Sequence, residues 1–138
     1  MKNTLKRLSV TGCAAVAIFA TTTVTSASAA SGGAACSVTG ASGSLSFTNW
    51  TARHVDISGW VKDTAADGRH VAIRFVSIDS GTGWVTEWSW HANHNGNGST
   101  VSFTTYASPS GDSLDSIGAQ VAVMDDGGTI VRSCTDYA

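Results

Sequence analysis

The chain predicts an all-β fold, a single antiparallel β-sandwich of about seven strands, immunoglobulin-like or jelly-roll-like. Beyond Cys36, apolar and polar residues alternate over short runs, the period of a half-buried strand. Clusters of Gly, Asp, Asn and Ser interrupt those runs about every 8–12 residues, as turns between strands do. Outside the N-terminal leader no stretch repeats its apolar residues at the helical period of 3.6.

The leader comes first. Lys2, Lys6 and Arg7 precede an apolar run from Cys13 to Ala20, and a Thr/Ser/Ala stretch ends in Ala27-Ser28-Ala29. A positive start, an apolar middle and a small-residue site predict a secretory signal peptide over residues 1–29, cleaved after Ala29. The apolar run is shorter than the roughly 18–20 residues that cross a bilayer, so no membrane span is expected. Cys13 precedes the apolar run instead of ending it, which argues against a lipoprotein.

Residues 30–35 are small and predict a flexible tail; residues 36–138 predict the sandwich domain. All 10 acidic residues and only five of the eight basic ones lie beyond Ala29, a formal net charge of −5. No basic run is present to hold phosphates, so nucleic acid is not an expected partner. Cys36 and Cys134 lie near the two ends of this part, and a paired count in an exported chain predicts a disulfide between them.

The strands follow in order. Leu45 and Phe47 alternate with Ser44 and Ser46; Val55, Ile57 and Val61 alternate with Asp56, Ser58 and Trp60. Asp67-Gly68 predicts a hairpin leading to Val71, Ile73 and Phe75, with Arg74 on the other face. Gly83 to Trp90, GWVTEWSW, places Trp84, Thr86, Trp88 and Trp90 on alternate positions of a strand, so three indoles are expected to line one face. Two Asn-Gly steps in Asn93 to Ser99 mark a turn before Val101 and Phe103. Ile117, Ala119, Val121 and Val123 form the next inward row, and Asp125 to Gly128 turns into Ile130 to Cys134.

Gly59-Trp60-Val61-Lys62-Asp63, Ala66-Asp67-Gly68 and Val71-x-x-Arg74, with the Trp88-Ser89-Trp90 strand and its Asn-Gly turn, resemble uncharacterised small secreted β-sandwich proteins of actinobacteria. The resemblance covers about Ser58 to Thr104. It implies an exported β-sandwich and carries no catalytic residue.

The indole row is the main candidate for function. Trp84, Trp88 and Trp90 either fill a core or face a ligand such as a sugar. His91, Asn93 and Asn95 follow on the loop and complete the expected binding residues, with Asn97 beside them. His91 and His94, spaced H-x-x-H, are candidates for a metal, although a zinc site wants three or four ligands and no third is adjacent. His54, Asp56 and Ser58 match a triad by residue type, but alternate strand positions stand roughly 6.6–7 Å apart, beyond hydrogen-bond reach. Arg74 and Glu87 are expected to pair across strands if their strands are neighbours.

The expected function is a secreted, non-catalytic, extracellular binding or interaction module for carbohydrate or cell wall, monomeric and without cofactor. Its site is placed at Trp88 to Asn97. The alternatives are an inhibitor of an extracellular hydrolase, acting through the loop Ala107 to Asp115, and a small metal-assisted hydrolase using His91 and His94.

Overall fold

Alternation along each strand sorts side chains to two sides, and burying the apolar side demands a second sheet. The computed structural model describes residues 29–138, so the leader expected over residues 1–29 lies outside the described residues except for Ala29. Nine strands form among the described residues: β1 (Ala30–Val38), β2 (Ala41–Thr51), β3 (His54–Asp63), β4 (His70–Ile78), β5 (Val85–Glu87), β6 (His91–Asn93), β7 (Thr100–Ala107), β8 (Ser116–Met124) and β9 (Ile130–Tyr137). They build two antiparallel sheets. The first runs β1-β2-β3-β7; the second runs β5-β4-β8-β9, with β6 also paired to β4.

The β-sandwich stands, with two strands more than the alternation predicts. One is β1. Residues 30–35, expected as a flexible tail, are strand instead: Ala34 pairs with Leu45 and Ala35 with Ser44. Their small side chains carry no signal of pairing, yet Ala34 is buried in the core. The other arises because the Trp stretch divides into β5 and β6. The Asp67-Gly68 turn also departs from expectation. It does not close a hairpin, because β3 and β4 lie in different sheets and the connection crosses between them. The buried Asp63 directs that crossing by accepting the Ala65 N–H at 3.0 Å. Asp125 to Gly128 does close a hairpin, with the Asp125 carboxylate accepting from Gly127 and Thr129.

Between the sheets lie Leu45, Phe47, Val55, Ile57 and Val61 from the first, and Val71, Ile73, Phe75, Ile117, Ala119, Val121 and Val123 from the second. Phe47 and Phe75 meet edge to face at 5.7 Å. Cys36 on β1 and Cys134 on β9 are disulfide-bonded with Cα atoms 6.1 Å apart. The bond therefore ties an edge strand of one sheet to an edge strand of the other. Among the described residues no helix is long and apolar enough to cross a membrane.

Candidate functional site

The Trp stretch is not one strand. Glu87 pairs with Val76 and His91 with Ile73, so Trp88, Ser89 and Trp90 stand opposite only Phe75 and Arg74. One extra residue in a strand is a bulge, and it reverses the face of everything beyond it. Trp88 turns inward, 5.6 Å from the Phe75 ring, and its Nε1–H donates to Ser77 Oγ at 3.1 Å. Trp90 turns outward, onto Ala72, Ala122 and Met124, with the Arg74 guanidinium 4.3 Å from its ring centroid. Trp84 precedes β5 and is 70% exposed. The single indole face expected from alternation does not form; the three indoles occupy three environments.

The histidines separate in the same way. His91 lies flat on Phe103, centroids 3.7 Å apart and planes 8° from parallel. Burial there pushes its imidazole pKa down. His94 instead meets His70 at 4.3 Å. Among the described residues no group of three or more His, Cys, Asp or Glu could hold a metal ion. Asn93 is wholly buried: its Nδ2 donates to the Ser99 and Val61 carbonyls, and its Oδ1 accepts from Asn95 N–H and Ser99 Oγ. Its amide is thus consumed in holding the loop, and the Asn95 backbone leans on it. Trp88 and His91 do line a crevice of about 240 Å³ between the sheets, with Ile57, Phe75 and Tyr106. That is smaller than the roughly 300–1,000 Å³ of ordinary ligand pockets. Arg74 pairs with Glu87 at 2.5 Å and with Gln120 at 2.7 Å, so the cross-strand pair forms.

The outer face of the first sheet offers a different surface. Registers align Ser46, Ser58 and Thr104 in one row across β2, β3 and β7, and Ser44, Trp60 and Ser102 in the next. These side chains border a shallow depression of about 480 Å³. It exists because hydroxyl side chains are short and Trp60 rises beside them. Trp60 is 39% exposed. Among the described residues the five hydroxyls make no hydrogen bond to protein groups. In the row beyond Ser58 stand Thr48, Asp56 and Tyr106, the last 66% exposed. Trp60 and Tyr106 are thus four positions apart along the strand direction, roughly 14 Å.

At the Tyr106 end of this face four polar side chains meet. His54 Nε2 lies 3.0 Å from Asp56 Oδ1, and His54 Nδ1 lies 2.9 Å from Ser108 Oγ. Asn49 Nδ2 donates to the other Asp56 oxygen at 2.7 Å, and Tyr106 stacks on the imidazole at 5.9 Å. The Asn49 amide, with His54 second, holds the Asp56 carboxyl below its ordinary pKa. Strand spacing alone had placed His54 and Asp56 out of reach. Long side chains on one face lean together where the β2–β3 register slips between Thr48 and Thr51 and Asn49 adopts φ +51°. Ser58 takes no part, and Ser108 carries no sequence signal because it arrives from 54 residues away. Comparison with protein-family models, curated proteins and solved structures finds no match.

Proposed function

We propose that this protein is an extracellular binding module for a neutral polysaccharide, held on the open face of the β1-β2-β3-β7 sheet. The observation that carries the reading is the bed of unengaged Ser and Thr hydroxyls flanked by two exposed aromatics. A sugar ring has an apolar C–H face and a rim of hydroxyls. The first stacks on an indole or phenol; the second exchanges hydrogen bonds with short hydroxyl side chains. The sheet holds its side chains on a fixed grid, so little freedom is lost on binding. The face carries Asp56 and Lys62, one charge of each sign, which favours a neutral ligand over an anionic one. The leader and the disulfide support an extracellular location.

Retention on insoluble cellulose, chitin, xylan and cell-wall sacculi tests this. Trp60→Ala should weaken binding about tenfold or more and move the melting temperature little. A wild-type protein retained by none of these materials, or equal retention of the variant, counts against the reading.

One observation favours the hydrolase-inhibitor alternative. The loop from Ala107 to Asp115 is tightly held: Leu114 is buried, its N–H donates to Ala52 and its carbonyl accepts from Trp50 Nε1, and Asp79 accepts the Ser113 N–H. A rigid loop of this kind is what such an inhibitor presents. Screening against secreted proteases and glycosidases, with no inhibition at micromolar protein, would remove it.

A further inference from the structure

We propose that Ser108 is a nucleophile, activated by His54 and directed at O-acyl esters. The inference goes beyond binding; the nucleophile stands on its own contacts, and only the carbohydrate part of its substrate class rests on the polysaccharide reading. A serine hydroxyl attacks a carbonyl only when a base takes its proton, and the base acts only if its free lone pair faces the hydroxyl. Both conditions follow from one chain of contacts. Asp56 is a carboxylate and can only accept, so His54 Nε2 carries the proton and Nδ1 presents its lone pair to Ser108 Oγ at 2.9 Å. Asn49 fixes the carboxylate from the far side at 2.7 Å, and Tyr106 limits rotation of the ring.

The backbone supports the same assignment. Asn49, at φ +51°, is the one non-glycine residue with positive φ among the described residues. The register slip beside it turns the end of the hairpin. Bulges re-aim the side chains beside them, and this one brings the Asn49 amide onto Asp56. His54 and Asp56 keep 42% and 44% of their side-chain surface exposed, so a substrate reaches them without any movement of the fold.

In the step itself, Ser108 Oγ bonds to the ester carbonyl carbon and its proton passes to His54 Nδ1. The carbon–oxygen bond to the alcohol breaks, and Nδ1 returns the proton to the departing alkoxide. Water then attacks the acyl-serine and gives its proton to Nδ1, which hands it back to Oγ as the acid leaves. The balance is ester plus water to acid plus alcohol. Asp56 and Asn49 are positioning residues. Pro109 follows Ser108 and has no N–H, so the oxyanion donor many hydrolases take from the residue after the nucleophile is missing. Turnover is therefore slow, and activated probes are the right reagents. Tyr106 joins this cluster to the hydroxyl-lined face, which makes acyl groups on a carbohydrate hydroxyl the natural substrate class.

The test uses the folded, disulfide-bonded protein with a fluorophosphonate probe and with p-nitrophenyl acetate. One phosphonyl group is expected on Ser108, mapped by peptide mass, with labelling at least tenfold slower in His54→Gln. Ester hydrolysis should fall tenfold or more in Ser108→Ala, with an unchanged melting curve. Asp56→Asn should slow labelling and shift its pH profile, a change that a merely structural role would not produce. No label on Ser108, or hydrolysis undiminished in Ser108→Ala, overturns the proposal; the second outcome would be the work of a free imidazole. Polysaccharide retention is read on Trp60→Ala and the nucleophile on Ser108→Ala, so failure of polysaccharide binding and failure of the nucleophile are separate results.

Discussion

Trp90→Ala should destabilise the protein by about 3 kcal/mol. The indole is half-buried on Ala72, Ala122 and Met124, an apolar cluster on the outer face of the second sheet that nothing else from β5 or β6 except Ala92 covers. Burying roughly 100 Å² of indole at about 25 cal/mol per Å² contributes about 2.5 kcal/mol. The stack with Arg74, whose side chain is 11% exposed, adds about 0.5–1 kcal/mol. For a domain of about 110 residues, unfolding entropy near 2.1 cal/mol/K per residue converts 3 kcal/mol to a fall of about 13 °C. Thermal melting followed by circular dichroism, with a reversibility check, reads this directly. Trp84→Ala, at a 70% exposed position, is the control and should move the midpoint by less than about 2 °C. Trp90→Phe should recover part of the loss. A Trp90→Ala midpoint within about 3 °C of the parent would refute the packing assigned to this indole.

Other consequences follow from the same structure. Asn93→Ala should cost about 2–3 kcal/mol in a denaturant titration, because it removes a wholly buried amide with its hydrogen bonds to the Asn95 N–H, the Ser99 hydroxyl and the Ser99 and Val61 carbonyls. Cys36→Ser should cost about 4–5 kcal/mol on the loop-entropy model, since the bond closes a loop of 98 residues; melting under reducing and oxidising conditions measures it. His91 has a folded pKa below its ordinary 6.5, so below that pH the unfolded chain gains a proton that the native imidazole resists. Stability should therefore decline as pH drops from about 6.5 toward the folded pKa and then level, and His91→Phe should flatten this part of the profile. Asp79 and Asp115, held below 3.8 chiefly by Ser113, give stability present above that value and lost as pH falls through their folded pKa values, readable in an acid titration of the parent protein.

Alternation in Leu45 to Phe47, Val55 to Val61, Val71 to Phe75 and Ile117 to Val123 is a local property, and every apolar side chain it marks as inward is buried. The all-β class, the main strands and the cysteine partnership were therefore legible from the chain alone. Three things were not. Residues 30–35 pair as strand although Ala, Ser and Gly carry no pattern, because β2 supplies an edge and the disulfide anchors β1 to β9. The Trp row fails because the count of two restarts at a bulge, and only pairing with β4 reveals the extra residue. Ser108 reaches His54 because β7 lies antiparallel beside β3, and the register that sets Val55 opposite Ala107 brings the next residue level with His54, a juxtaposition made by topology across 54 residues. Side-chain period is written in the sequence because it depends on neighbours in the chain; register, bulges and the meeting of distant hydroxyls with an imidazole depend on neighbours in space, and the folded sheets alone decide them.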